Sequence, residues 1–258
     1  MQRFVLVALG ALVLAPAAAA GTVTLYPTGF RAMAFTDWRA QEGLPDSTGG
    51  ANQALKLEKD TFDVGPTAAA VISGVEGARV DRLTGLNWER RVDGDCGVDS
   101  PRWTVGIRGR SGKHYLVRFG CRVSIHSAGS APGWMRDTNP QPLIRARVLA
   151  LGPFAGKDAF GGLVESLAIV FDKRQKFGYV FLDNIQVLSK QSQFRQTWTS
   201  AADNGNGPPP SAGPDDLTLN PFTDVEQLTF EELWPLLSPE DQALAASDAD
   251  APPDQPAG

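Results

Sequence analysis

Trp103-Thr104-Val105-Gly106-Ile107-Arg108, then Arg110-Ser111-Gly112-Lys113, then His114-Tyr115-Leu116-Val117-Arg118-Phe119, set between Cys96 and Cys121, decides the reading of this chain. The first run alternates between two faces, the period-two pattern of a half-buried strand. Arg110 to Lys113 is turn-rich, with Gly112 where a positive φ is needed, and the second run returns, so the segment reads as a β-hairpin. The two cysteines that flank it are the chain's whole complement. In an oxidising compartment an isolated pair of this kind is most simply one disulfide, Cys96–Cys121. Closing a loop of this length contributes about 3–4 kcal/mol in the chain-entropy model. A Cys-x-x-Cys spacing is absent, so the bond is read as structural rather than redox-active.

The compartment is read from the other end of the chain. Met1-Gln2-Arg3 brings one positive charge, Phe4 to Leu14 is apolar, and Ala18-Ala19-Ala20 offers small residues for cleavage. That order is a secretory signal peptide, expected over residues 1–20 with cleavage after Ala20. The apolar run falls short of the roughly 20 residues of a membrane helix. No cysteine follows it for a lipid anchor, and no later segment is apolar enough to span a bilayer. The expected destination is secreted, periplasmic or cell-envelope.

Working outward from the hairpin, further strands follow. Ala54 to Lys59 alternates apolar and charged residues; Ala69 to Ile72 and Leu86 to Arg90 are also strand-like, and Thr22 to Leu25 is a β-prone start. Leu167 to Phe171, a charged turn Asp172 to Lys176, and Tyr179 to Val187 read as a second hairpin. No long helical pattern interrupts residues 21–190, so the expectation is an all-β sandwich domain over that range. Residues 191–222, rich in Ser, Asn, Gly and Pro, read as a flexible linker.

Charge divides the chain as composition does. Gly21 to Gln196 carries 23 Lys+Arg and 17 Asp+Glu, whereas Thr197 to Gly258 carries 12 acidic residues and no Lys or Arg. Residues 223–258 are thus an acidic tail of the kind used for interaction. Within it, Ser238-Pro239-Glu240-Asp241 is a helix start and Thr229 with Glu232 a capping-box pattern, although Pro235 limits the turn before it. The remainder is expected to be mostly disordered.

Catalytic constellations are thin. His114 and His126 are the only histidines. No G-x-S-x-G elbow accompanies them, and two His with two paired Cys do not supply a zinc site. Glu89, Glu165, Asp183 and the group Asp93, Asp95 and Asp99 are carboxylates by type that could serve glycoside hydrolysis. The same Asp group, in a Gly-containing loop, offers hard oxygen ligands to a structural Ca²⁺, though not at EF-hand spacing; no other cofactor is expected. Trp88 and Trp103 lie on alternating strands and are expected in the core. Trp134 differs, because Ser127 to Gln141 reads as a long loop, where function concentrates. An exposed indole there, with Arg136, Asp137 and His126, would stack on a sugar ring and hydrogen-bond its hydroxyls. The basic residues form no concentrated stripe, so nucleic acid is not an expected partner.

Three stretches carry a family resemblance: Leu83-Thr84-Gly85-Leu86-Asn87-Trp88; Cys96 to Trp103 with Phe119-Gly120-Cys121; and Tyr179-Val180-Phe181-Leu182-Asp183-Asn184-Ile185-Gln186-Val187. With them, residues from Gly21 to about Asn206 resemble secreted bacterial β-sandwich proteins of the galactose-binding or carbohydrate-binding-module jelly-roll type. The resemblance implies a jelly roll and no particular ligand. Three functions are therefore in view: a non-catalytic module for carbohydrate or a cell-surface polymer; an envelope-associated interaction protein whose tail docks through Phe230, Leu233, Trp234 and Leu237 onto a protein partner or its own body; and a hydrolase built on a carboxylate pair.

Overall fold

The computed structural model describes residues 23–30, 33–45, 51–62, 66–97, 100–172, 177–190, 195–200 and 239. The signal segment, Asp99 and the apolar residues of the tail lie outside them. The strands in chain order begin with β1 (Thr24–Phe30), β2 (Ala34–Arg39), β3 (Ala54–Lys59) and β4 (Thr67–Ser73). A 3₁₀ turn (Val80–Arg82) leads into β5 (Leu83–Arg91), followed by β6 (Arg102–Arg108) and β7 (His114–Gly120). Then come β8 (Ile125–Ala128), β9 (Trp134–Pro140), the helices α1 (Gln141–Leu149) and α2 (Ala155–Phe160), β10 (Leu163–Phe171), β11 (Gly178–Ser189) and β12 (Arg195–Trp198).

These strands form two sheets, and every pairing is antiparallel. One runs β1-β4-β10-β6-β7; the other runs β2-β3-β11-β5-β9-β8, with β12 also paired to β11. If β1, β2, β8 and β12 are set aside as additions, the eight remaining strands fall into two four-stranded sheets. Numbered one to eight along the chain, they run 1-8-3-6 and 2-7-4-5. That is the double Greek key of a jelly roll. The expected hairpin is β6–β7, with Trp103 opposite Phe119 and Gly112 at φ 84° in the turn. Cys96 and Cys121 are bonded, with Cα atoms 5.2 Å apart. Their bond ties the β5–β6 connection to the end of β7.

The core lies between the sheets. Alternation along β5 points Leu86 and Trp88 inward, and β6 answers with Trp103, Val105 and Ile107. Trp88 and Trp103 stack with ring centroids 5.1 Å apart and an interplanar angle of 22°. They are fully buried and join the sheets at their centre. Such a pair adds about 0.5–1.5 kcal/mol beyond its buried area.

Three features differ from the sequence expectation. Leu167 to Val187 is not a hairpin: β10 lies between β4 and β6, and β11 between β3 and β5, in opposite sheets. Turn residues report only that the chain reverses. Both strands carry continuous apolar runs, and crossing between sheets packs Ile169 and Phe171 into the same core as Val180 and Leu182. Two short helices interrupt the body as well. The nine residues of α1 are too few to give a clear 3.6-residue period. Pro142 starts the helix, Leu143, Ile144 and Val148 are buried, and Arg147 Nε donates to the Arg118 carbonyl at 3.1 Å. Finally, β12 falls inside residues 191–222, and its Trp198 is fully buried against the core, so the domain runs at least to Trp198.

Candidate functional site

The outer face of the larger sheet gathers the chain's polar and aromatic side chains into rows. Pairing register places them, since directly opposed residues point the same way. One row runs Trp134 (β9), Arg91 (β5), Phe181 (β11), Lys56 (β3), Asp37 (β2). Its neighbour runs Ser127, Arg136, Glu89, Asp183 across β8, β9, β5 and β11. Beyond that lie Gln186, Asn87 and Thr138, and on the other side Tyr179, Glu58 and Phe35.

Cations and rings interleave in the first row. The Arg91 guanidinium lies 3.9 Å from the Phe181 ring centroid, and Lys56 Nζ is 5.8 Å from the rings of both Tyr179 and Phe181. Arg91 is also held by Glu42 and, at 2.7 Å, by Asp93. The hydrogen bond from Arg91, with a second from the Tyr179 hydroxyl, holds the Asp93 carboxyl below the usual carboxylate value.

Glu89 and Asp183 face each other across β5 and β11, and both are almost fully buried. Asn184 sits between them at φ 45°, where the register shifts by a bulge. A left-handed Asn is tolerated because its short side chain bonds locally. Here its Nδ2 donates to Glu89 Oε1 at 3.2 Å and its backbone N to Asp183 Oδ1 at 2.6 Å. Each carboxylate also holds a loop. Glu89 accepts from Ser130 N and Oγ, at 2.6 and 2.5 Å, which pins the β8–β9 turn. Asp183 accepts from Leu44 N at 2.8 Å, which pins the β2–β3 connection. Two loops therefore lean over the middle of the face, each fixed by a charge-assisted bond.

The sequence expected Trp134, Arg136, Asp137 and His126 in one loop. They lie instead on the β8–β9 hairpin, and alternation sorts them. Trp134 and Arg136 are half-buried on the outer face, and Arg136 Nη2 donates to Gln186 Oε1 at 3.3 Å. Asp137 and His126 are opposed on the other face. Asp137 is wholly buried there: Trp88 Nε1 and Arg90 Nε each donate to its Oδ2 at 2.9 Å, and His126 Nδ1 lies 2.7 Å from its Oδ1. The Cys121 sulfur lies 3.3 Å from the same Oδ2. Asp137 thus ties Trp88 and Arg90 of β5 to the disulfide's Cys121 and the edge histidine, and it is not presented to solvent.

The remaining candidates scatter. His114 and Glu165 form an exposed pair at 2.6 Å on the smaller sheet. Asp93 is engaged by Arg91 and Tyr179, so its oxygens serve the protein. Among the described residues the one group with metal-ligand proximity is Cys96, Cys121 and Asp137, whose sulfurs are bonded to each other. Sequence reasoning did not bring forward Arg91, Lys56, Asn87 or Gln186. Their shared face follows from strand order, although period-two alternation within β3 and β5 already put Lys56, Arg91 and Asn87 each on one side of its own strand; Gln186 on β11 follows the bulge after Asp183.

No protein-family model matches the chain, and no curated protein matches it. Among solved structures, the family 30 carbohydrate-binding module of a cellulosomal cellulase of Clostridium thermocellum is 15% identical; the match covers 66% of this chain and 93% of that one, with a TM-score of 0.39. A β-1,2-glucanase from Parabacteroides distasonis is 14% identical over 66% of this chain and 23% of its own length, with a TM-score of 0.33. An exo-β-agarase is 9% identical over 65% and 23%, with a TM-score of 0.34. None of the three bears on what this chain binds. No helix among the described residues is long and apolar enough to cross a membrane.

Proposed function

We propose that this is an exported, non-catalytic binding module for a carbohydrate or another hydroxyl-rich cell-surface polymer, taken on the outer face of the larger sheet. One observation carries the reading: ring faces and polar groups lie in adjacent rows, Trp134–Arg91–Phe181–Lys56 with Arg136 on one side and Tyr179–Glu58–Phe35 on the other. A sugar ring asks for that combination, an apolar face to stack on and polar groups at its rim. Trp134 and Tyr179 supply the half-buried ring surfaces. Phe35, 50% exposed, extends them at the β2 edge. Arg136 Nη1 and Thr138 Oγ1 on this face have no hydrogen-bond partner among the described residues. Both atoms are buried, so they lie beneath its surface and are not ligand contacts on it.

The in-register pair Glu89 and Asp183 is the observation that favours a hydrolase. Its chemistry is already spent, since both carboxylates accept backbone N–H bonds that hold loops in place. A general acid or nucleophile needs an oxygen free to reach the glycosidic bond. A glycan array probed with the exported protein, Trp134→Ala and Tyr179→Ala tests both readings. We expect binding that either substitution weakens tenfold or more, about 1.4 kcal/mol, with no new reducing ends released. An array without signal, or signal indifferent to both substitutions, rejects the module; release of reducing sugar lost in Glu89→Gln would establish the enzyme.

A further inference from the structure

The outer face of the smaller sheet raises a separate question. Pairing register places Tyr26, Val71, Ala168, Thr104 and Arg118 in one row, and Thr28, Ala69, Val170 and Arg102 in the next. These residues point away from the core that Ala70, Ile72, Leu167 and Ile169 fill. An outward face would ordinarily be solvated, yet Ala69 and Ala168 are 0% exposed, Val170 1% and Val71 5%. They form a cluster of their own, and no other hydrophobic among the described residues packs against it. The helices α1 and α2 pack on β5, β7, β9 and the 3₁₀ turn. Thr104, 0% exposed on the same face, has a hydroxyl with no hydrogen-bond partner among the described residues. Water is therefore already excluded from this face, and no hydrophobic side chain among the described residues supplies the cover.

We propose that the cover is the chain's own acidic segment, residues 224–237. Its sequence supplies the matching chemistry: Phe230, Leu233 and Trp234 recur at i, i+3 and i+4 before Pro235 ends the turn, Leu237 follows, and Asp224, Glu226, Glu231 and Glu232 supply the acid. The trough is small-sided, with Ala69, Ala168 and Thr104 at its floor, which leaves room for large anchors such as Trp234 and Phe230. Charge runs the same way. Arg118 and Arg108 stand at this sheet's outer positions, Arg108 at 3.9 Å from Glu165, while Arg102 is already paired with Asp172; residues 224–237 carry no basic residue. Length permits it as well: the 23 residues between Ser200 and Asp224 can reach about 75 Å when extended, against sheets packed about 10 Å apart. The larger sheet is a poorer host, because charged rows cross its outer face and its own loops already lean over Glu89 and Asp183. Docking in cis leaves that face open, so this inference is independent of the ligand.

The test uses the full exported chain with a benzophenone amino acid in place of Trp234, irradiated and mapped by peptide mass spectrometry. We expect crosslinks within one chain to peptides containing Ala69–Val71 or Ala168–Val170. A second measurement, on the uncrosslinked full chain, follows methyl relaxation by a soluble paramagnetic probe at Ala69, Val71, Ala168 and Val170. Those methyls should be shielded, and a Phe230→Ala/Leu233→Ala/Trp234→Ala variant with unchanged circular dichroism should show a several-fold rise. Crosslinks to the Trp134 and Tyr179 face, crosslinks between chains, or shielding indifferent to the triple substitution would each overturn the proposal, the last by assigning the cover to another segment or a partner.

Discussion

At the scale of single residues, Asp137 carries the most. Its carboxylate has no solvent exposure and is bonded to Trp88 Nε1 and Arg90 Nε, with His126 on the second oxygen. Asp137→Ala would leave the Arg90 charge nearly buried without its partner, and breaking such a pair costs about 3–5 kcal/mol; urea unfolding should show that loss. Nothing in the local sequence distinguishes Asp137 from Arg136 or Trp134. A loop reading put all of them at a surface, whereas strand alternation turns Asp137 inward and Trp134 outward. Asp93 gives a pH signature. Its pKa is depressed, first by the hydrogen bond from Arg91, so its contribution is present above the unfolded carboxylate value and is lost as pH falls through the lower folded one. Unfolding free energies of wild type and Asp93→Asn should therefore differ at neutral pH and converge below about pH 4.

At the scale of elements, the β6–β7 hairpin was plain in the sequence because every requirement is local: alternation, a turn and Gly112 between them. The disulfide closes a 25-residue separation around it, which in the entropy model is worth about 3–4 kcal/mol. A Cys96→Ser/Cys121→Ser variant should lose about that much in chemical denaturation, with the native circular dichroism retained at low denaturant. The β8–β9 hairpin was missed because Ser, Gly and Pro crowd its turn and its strands carry polar residues on both faces. It is a strand pair because β5 supplies the neighbour, with Glu89 drawing Ser130 down by two short bonds. Glu89→Gln keeps the shape and removes the charge that strengthens those bonds. The amide of Ser130 should then exchange with deuterium faster than in the wild type, while amides in β6 stay protected.

At the scale of the whole molecule, the Trp88–Trp103 stack joins the two sheets at their centre, and Leu57, Ile72, Ile107, Phe119 and Leu182 fill the space around it. Trp103→Ala should cost about 3–5 kcal/mol, read as a lower midpoint in a single cooperative transition. The sequence by itself determined what is local in space as well as in sequence. It marked the strand over Ala54 to Lys59, the β6–β7 hairpin, the pairing of two cysteines, and the burial of Trp88 and Trp103 by the faces they alternate onto. It did not determine strand order. A two-residue period says that a strand has an inside and an outside but not which strands lie beside it. Hence β10 and β11, neighbours in the chain, part into opposite sheets, and the face that carries the aromatic and charged rows exists only because β5, β9, β11 and β3, scattered over more than a hundred residues, lie side by side. That choice was made by the joint burial of apolar faces in one core, a property of all the strands together that no window of sequence contains.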